Sequence, residues 1–441
     1  MGSVVIGLGK TGAACVRYLA ARGEAVAATD TRLDPPGLAS LGALATRIPL
    51  RLGGFDLSLL EGASRVLMSP GISLREPIAR AARERGIEVL GDVELFARDV
   101  RAPVIGITGT NGKSTVTTLV AHMAAAAGRR VLAGGNLGEP ALDLLAHPVP
   151  DLYVLELSSF QLETTSSLAL AGAVVLNVTA DHMDRYATLD EYAGAKARIF
   201  AHAATVVLNA DDPVVAAMET HGARRLTFSV QGAPADFTLE RDGRTAWLAR
   251  DGRPLIDAAR LKVAGVHNAA NALAALALGE AAGLPLPAML QALETFPGLP
   301  HRSAWVADRA GVRYIDDSKG TNVGATIAAV QGLEAPVVLL AGGDGKGQDF
   351  TPLAAAFRGR VRHAVLIGRD APRLAAALQD TCSVEFAASM PAAVGAAAAA
   401  ARAGDVVLLS PACASLDMFR DYNHRGDEFA ACVHALPGVA S

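Results

Sequence analysis

Short apolar runs rich in valine and isoleucine recur along the chain, each followed by a polar or glycine-bearing turn and then by helically spaced apolar positions. That rhythm predicts repeated βα units and parallel sheets. The first set places strands at residues 3–6 and 25–29 with a helix at about 13–22 between them, then a strand at 66–68, a helix around 76–85 and a strand at 87–90. A second set starts near Val93, with strands at 104–107, 152–157, 173–178 and 205–209 and helices from Val116 and over 192–200. Residues 237–255 break the rhythm: alternating strands around Asp242-Gly243 and Asp251-Gly252 turns predict an antiparallel insertion. After the proline-rich turn at 296–300, strands are expected at 312–315, 337–341, 361–367 and 406–409. The expected organisation is three domains, 1–92, 93–297 and 298–441.

Composition narrows the class. At 441 residues, 51% hydrophobic and 19% charged, the chain exceeds one core and suits compact α/β domains. A net charge of -4 gives no reason to expect nucleic-acid binding, so small-molecule partners are expected. Cys15, Cys382, Cys413 and Cys432 lack CxxC spacing, which argues against a disulfide framework or zinc site and suits a reducing compartment. The first strand begins at Ser3, leaving no room for a signal peptide, and later apolar stretches are interrupted well short of a membrane span. The expected location is cytoplasmic, with no membrane partner.

Three places carry chemistry. Gly109-Thr110-Asn111-Gly112-Lys113-Ser114-Thr115 lies between a strand and a helix start, where backbone N–H groups and the helix dipole converge on an anion. Lys113 can reach the β- and γ-phosphates of ATP, and the Ser114 hydroxyl can ligate nucleotide-bound Mg2+. The position five before Gly112 is Ile107, a departure from the usual phosphate-loop pattern. Glu156, a lone acid in a buried-strand pattern, would be costly to bury without a cation and is expected as a magnesium ligand. Near the N-terminus, Gly7-Leu8-Gly9-Lys10-Thr11-Gly12 with Asp30 closing the next strand has the Rossmann form. Taken alone it suggests a dinucleotide dehydrogenase; the brevity of the unit favours holding a nucleotide without redox chemistry. Asp181-His182-Met183-Asp184 follows a parallel strand, and Asn268 and Asn271 fall three apart at a helix start.

Together these stretches resemble the Mur ligase family, the ATP-dependent ligases that build the peptide of bacterial cell-wall precursors. The resemblance runs through Gly109–Thr115, Glu156-Leu157-Ser158-Ser159-Phe160-Gln161-Leu162-Glu163, Asn177 through Tyr186, Gly265-Val266-His267-Asn268, Pro300-His301-Arg302 and Asp317-Ser318-Lys319, and the Mur pattern also has the departure at Ile107. The Ser-Ser-Phe-Gln-Leu-Glu and His-Met-Asp-Arg-Tyr runs are similar to the branch that adds D-glutamate. The resemblance implies an α/β fold of three domains: an N-terminal Rossmann-like domain for the uridine nucleotide, a central P-loop ATPase with a parallel sheet and small antiparallel insertion, and a C-terminal Rossmann-like domain that brings the amino acid.

It further implies ATP-dependent joining of D-glutamate to UDP-N-acetylmuramoyl-L-alanine through an acyl phosphate, a step of peptidoglycan synthesis on which cell shape and division depend, by an enzyme expected to be a monomer. By position, Lys10, Thr11, Asp30, Thr31, Arg32, Ser69, Pro70 and Gly71 would meet the uridine nucleotide, and Asn136 the rest of that substrate. Ser114 and Glu156 would hold one Mg2+; His182 and Lys196 would hold a second, the lysine being carbamylated in the family. Gly109, Thr110, Asn111, Gly112, Lys113, Ser114, Thr115, Asn268, Asn271, Arg302 and Asp317 would bind ATP. Lys319, Thr321, Lys346, Ser415 and Leu416 would take the amino-acid carboxylates or the acyl-phosphate end, with Tyr422 as the aromatic beside the last loop. Lys113, His182, Lys196 and Lys319 are the expected catalytic residues.

Overall fold

In the computed structural model, which describes residues 2–243, 245–263, 265–333 and 335–436, three separate sheets account for the strands. The first contains β1 (Ser3–Ile6), β2 (Val26–Asp30), β3 (Leu50–Leu52), β4 (Arg65–Met68) and β5 (Glu88–Leu90), all parallel in the order β3-β2-β1-β4-β5. Helices α1 (Lys10–Ala21) and α2 (Pro77–Glu84) belong to this part, and α3 (Asp92–Asp99) leads out of it. Every residue of β1 is buried, as a central parallel strand covered on both faces requires. The chain reverses direction of sheet growth between β1 and β4, so the loops after these two strands meet at a switch point, where open α/β sheets bind ligands.

The second sheet is nine-stranded. Its elements in chain order are β6 (Val104–Thr108), α4 (Lys113–Ala126), β7 (Val131–Gly135), α5 (Ala141–Leu144), β8 (Leu152–Glu156), α6 (Ser159–Leu162), β9 (Gly172–Val175), α7 (Leu189–Ala197), β10 (Thr205–Asn209), α8 (Pro213–Ala216) and β11 (Arg224–Ser229). The run ends with β12 (Phe237–Asp242), β13 (Thr245–Arg250) and β14 (Arg253–Asp257), followed by α9 (Val266–Ala281) and α10 (Leu286–Thr295). The order is β14-β13-β12-β11-β10-β9-β6-β8-β7, and only the β12-β13-β14 end is antiparallel, matching the expected insertion. Growth of the sheet switches sides at β6, which carries the glycine-rich loop at its C-terminal end.

The third sheet contains β15 (Ala304–Arg309), β16 (Val312–Asp316), α11 (Val323–Gln331), β17 (Val337–Gly342), α12 (Thr351–Phe357), β18 (Val361–Ile367), α13 (Ala371–Leu378), β19 (Ser383–Phe386), α14 (Met390–Ala400), β20 (Val406–Leu409) and α15 (Tyr422–Ala435). Its order is β15-β16-β20-β17-β18-β19, parallel apart from the β15/β16 hairpin. One apolar layer around Val330, Leu339, Phe357, Leu374 and Leu408 covers one face, and another around Leu340, Val365, Val394, Val407 and Phe429 covers the other. By internal packing the chain forms two compact units, one of Met1–Val178, Asp190–Asp257 and Ala270–Glu294, the other of Thr179–Leu189, Ala258–Ala269 and Thr295–Ser441.

Two differences from the sequence reading have physical causes. Helix α1 starts at Lys10, not near Ala13, because Gly9 serves as its extended N-cap residue and the last three motif residues already form its first turn. Strands β3, β7, β11, β15 and β19 differ from the sequence reading; β3 and β19 are edge strands with no buried residue, and β11 opens on Arg224-Arg225. Such strands lack the continuous apolar run that marks a central one.

Candidate functional site

The glycine-rich loop after β6 depends on two backbone conformations that a side chain would oppose. Gly109 has φ +150° and Gly112, the N-cap of α4, φ +86°. A Cβ on Gly112 would come within 2.5 Å of Asn271 Oδ1, so the asparagine on α9 reaches this loop. The loop is anchored from β9's side: Asn111 N donates to Asn177 Oδ1 at 2.8 Å, and Asn177 Nδ2 donates back to the Asn111 carbonyl at 3.1 Å. Lys113 Nζ folds over the loop and donates to the carbonyls of Gly109 (2.8 Å) and Thr110 (2.9 Å). The result is a helix N-terminus with a cation above it, suited to phosphate.

Beside it lies Glu156, at the end of β8 and only 3% exposed. Ser114 Oγ donates to Glu156 Oε2 at 2.5 Å and Asn136 Nδ2 donates to Oε1 at 2.7 Å. A carboxylate and a hydroxyl side by side at a phosphate loop form an oxygen donor set suited to Mg2+, which takes one or two protein ligands and completes its octahedron with phosphate oxygens and water. Among the described residues no group of three or more His, Cys, Asp or Glu gathers at one point. Asn136, expected to meet the substrate, stands beside Glu156 with its amide on that carboxylate. Lys196, at 1% exposure, donates to the Gly109 carbonyl at 2.9 Å and lies 4.3 Å above the Tyr192 ring. Ser114, Glu156 and Lys196 all belong to the first unit, whereas His182 belongs to the second.

At the N-terminal switch point, Gly7 has φ +88°, and a Cβ on Gly12 would run into the Gly7 carbonyl oxygen. Ser69 Oγ donates to that same carbonyl at 2.6 Å, joining the loops after β1 and β4. Asp30 is 1% exposed; its Oδ2 accepts from Leu8 N at 2.7 Å and Arg32 Nη2 at 2.7 Å, and its Oδ1 from Arg32 N and Nε at 2.9 Å each. Burial works against the ionised carboxylate, but the Arg32 guanidinium and the two amides outweigh it and bring its pKa down to about 2. Lys10 and Thr11 open α1, and Ser69–Gly71 follows β4, so the residues expected at the uridine nucleotide share one end of the sheet.

In the second unit, the loops after β16, β17 and β20 converge on Arg425 of α15, a residue that sequence reasoning missed. Its side chain is wholly buried and donates to Ser318 Oγ (3.0 Å), the Ser318 carbonyl (2.7 Å) and the Cys413 carbonyl (3.1 Å). Burial lowers its pKa to about 10. Asp317 lies in the first of these loops, with Oδ2 accepting from Ser410 Oγ at 2.8 Å and Oδ1 from Ser303 N at 3.1 Å. Burial pushes its pKa up to about 7, against those hydrogen bonds and the charge of nearby Arg302. Lys319 Nζ sits 3.8 Å over the Tyr422 ring, and Ser318 Oγ donates to the Tyr422 carbonyl at 2.8 Å. Lys346 pairs with Asp181 at 3.6 Å; Ser415 is buried and Leu416 exposed. Asn268, the third residue of α9, is assigned to this unit and Asn271 to the first. Arg425 carries no local signal in the sequence, because its partners lie in loops up to 107 residues away.

Comparison with known proteins assigns each of the three parts of the chain to one family. Residues 2–91 match the Mur ligase MurD-like N-terminal domain, 107–279 the Mur ligase middle domain and 301–413 the Mur ligase glutamate ligase domain. A UDP-N-acetylmuramoylalanine–D-glutamate ligase of Nitrosococcus oceani is 54% identical over 438 residues, covering 98% of this chain and 96% of the relative. One from Methylobacillus flagellatus is 51% identical over 438 residues, with coverage of 98% and 96%. Among solved structures, UDP-N-acetylmuramate-alanine ligase from Thermotoga maritima superposes with a TM-score of 0.62 at 21% identity, covering 99% of both chains, a likeness of fold.

Proposed function

The chain belongs to the Mur ligase family, and we propose that it joins D-glutamate to UDP-N-acetylmuramoyl-L-alanine at the expense of ATP, releasing ADP and phosphate. The observation that carries this choice of substrates is the 54% identity, along nearly the whole length of both chains, to a relative named for that reaction. We assign the domains as 1–92, 93–297 and 298–441, limits that enclose the three family matches.

In this reading the terminal carboxylate of the UDP substrate attacks the γ-phosphorus of ATP; the new C–O–P bond forms as the bond to the β-phosphate oxygen breaks and ADP leaves. The D-glutamate nitrogen then attacks the acyl carbon, the tetrahedral intermediate collapses with loss of phosphate, and the amine proton passes to a base, a role open to His182 only while it does not hold a metal ion. Bringing a carboxylate to a triphosphate requires neutralisation, which falls to Lys113, Lys319 and Arg302. Bound Mg2+ would neutralise phosphate charge further; Ser114 and Glu156 would hold one ion, and His182 with a carbamylated Lys196 the second. Asn136 orients Glu156 for that role. Gly109, Thr110, Asn111, Gly112 and Thr115 cradle the phosphates, with Asn268, Asn271 and Asp317 on the rest of ATP. Lys10, Thr11, Asp30, Thr31, Arg32, Ser69, Pro70 and Gly71 hold the uridine nucleotide; Thr321, Lys346, Ser415, Leu416 and Tyr422 hold the amino acid. The enzyme acts as a cytoplasmic monomer without nucleic-acid or membrane partners.

A coupled ADP-release assay with UDP-N-acetylmuramoyl-L-alanine, ATP and either D- or L-glutamate tests the substrates: turnover is expected with the D isomer alone. Lys113→Ala is expected to abolish ADP release that depends on both substrates, and full retained activity would remove the phosphate-loop assignment.

A further inference from the structure

The short segment Thr179–Leu189 follows β9 of the central sheet, yet packs as part of the unit that contains the third sheet. It brings a carboxylate with it. Asp181 is 7% exposed, and its Oδ1 accepts from the backbone N–H of His182 at 2.9 Å, which fixes the carboxylate's orientation. Around that fixed carboxylate stand groups from two different loops of the third sheet. Asn322, whose Oδ1 caps α11 by accepting from Ala325 N at 2.9 Å, donates its Nδ2 to Asp181 Oδ2 at 3.4 Å. Lys346, in the loop after β17 and held at φ +49°, places Nζ 3.6 Å from Asp181 Oδ1.

A lysine on a glycine-rich loop has a long, freely rotating stem and a point charge at its end. Left alone it samples many rotamers, and binding an anionic ligand costs the entropy of choosing one. A nearly buried carboxylate beside the ammonium removes most of that freedom before the ligand arrives. The ammonium has three donors, so pairing with Asp181 leaves donors for a second carboxylate. The Asn322 bond ties the same carboxylate to the start of α11, directly after Lys319, Gly320 and Thr321, so one side chain sets the relative position of two loops.

We propose that Asp181 is a positioning residue of the amino-acid subsite: it orients Lys346 and the capped start of α11 to receive a carboxylate of the incoming amino acid, and so sets affinity for that substrate without touching the phosphoryl transfer. This rests on the reading of Lys346 and Thr321 as amino-acid ligands.

The test is steady-state kinetics of Asp181→Asn, Asp181→Glu, Lys346→Gln and the Asp181→Asn/Lys346→Gln double variant, with D-glutamate, ATP and Mg2+ each titrated. Loss of one such oriented ion pair is expected to raise KM for D-glutamate about tenfold in Asp181→Asn, while KM for ATP and the Mg2+ half-saturation stay at parental values. Asp181→Glu, which restores the charge, is expected to recover much of the loss. Because Asp181 acts through Lys346, the double variant should be no worse than Lys346→Gln alone. A parental KM for D-glutamate in Asp181→Asn, a fall in kcat alone, or fully additive effects in the double variant would overturn the proposal. Should Asp181→Asn fail to fold, a parental KM for D-glutamate in both Asp181→Glu and Lys346→Gln would overturn it equally. If the parent enzyme itself does not turn over D-glutamate, the substrate assignment fails instead, a result distinct from all of these.

Discussion

Replacing Asp92 with asparagine should stabilise the protein above pH 6. Asp92 is the first residue of α3, 1% exposed, with Gln161 Nε2 donating to its Oδ2 at 3.3 Å, while its Oδ1 meets no hydrogen-bond partner among the described residues. Burial raises its pKa from the ordinary 3.8 to about 6, even though the Gln161 amide and the N–H groups at the start of the helix favour the charged form. The sign follows from proton counting. Between pH 3.8 and 6 the folded chain keeps a proton that the unfolded chain has released, so stability falls as pH rises through that window and the whole penalty is present above it. A difference of about two pKa units corresponds to roughly 3 kcal/mol. Asparagine removes the charge but leaves a buried N–H group where Oδ1 was, so a net gain of about 1–2 kcal/mol at pH 7.5 is expected. At pH 4 the variant should be no more stable than the parent. The assay is urea unfolding at pH 4, 5, 6 and 7.5, comparing the midpoint of the transition of the first unit in variant and parent. A variant with the parental pH profile, or one less stable than the parent at pH 7.5, would refute the reasoning. The location gives the result a wider use. The same helix start is fastened to the segment behind Glu156: Glu94 accepts from the N–H groups of Ser166 (2.7 Å) and Ser167 (3.0 Å), and Gly91 N donates to the Thr164 carbonyl at 3.2 Å. Asp92 is thus a poorly solvated carboxylate beside a clamp of satisfied hydrogen bonds.

Two further substitutions follow from the geometry. Gly12→Ala would drive a methyl group into the Gly7 carbonyl and to 2.7 Å from Ser69 Oγ, so it should lower stability by about 2–4 kcal/mol and raise KM for the UDP substrate; parental stability would contradict the close packing of α1 on the first loop. Asn136→Ala removes the donor to Glu156 Oε1, and loss of such a support costs about tenfold or more in metal affinity, so the Mg2+ concentration for half-maximal activity should rise while the urea midpoint stays near parental. An unchanged Mg2+ titration would show that Asn136 does not act through Glu156.

Most of the strands legible in the sequence were ones buried on both faces, while the edge strand β5 and the β12–β14 insertion were read from spacing and turn residues. β1, β6, β8, β10 and β20 are short apolar runs because parallel central strands contact helices above and below. β19, Ser-Val-Glu-Phe at a sheet edge, is mostly exposed and carries no such run. The site divides along a similar line. Lys113, Ser114 and the flanking glycines are legible because a phosphate loop is built from consecutive residues, and Glu156 because an acid at the end of an apolar strand is anomalous. Asn177, which clasps Asn111, and Arg425, which gathers three loops, make ordinary local patterns; their roles arise from contacts 66 residues distant for Asn177 and 12 to 107 residues distant for Arg425.

The N-terminal fingerprint shows what such a motif does and does not specify. Its glycines answer to backbone geometry: positive φ at Gly7, and at Gly12 the close approach of helix to strand. Those demands hold for any ligand bound at the switch point. What would commit the motif to NAD is the acid on the next strand accepting from a ribose hydroxyl. Asp30 has that position, yet its two oxygens already receive the Leu8 amide and three donors of Arg32. The carboxylate therefore acts on the protein itself, pinning the loop and aiming a guanidinium whose side chain is 49% exposed. A pinned, half-exposed arginine next to a helix N-terminus offers positive charge to phosphates, where a free carboxylate would have offered an acceptor to a ribose. In the proposed reading of this loop as a uridine-nucleotide site, the residue pair Asp30 and Arg32, and not the glycine spacing, would separate it from a dehydrogenase.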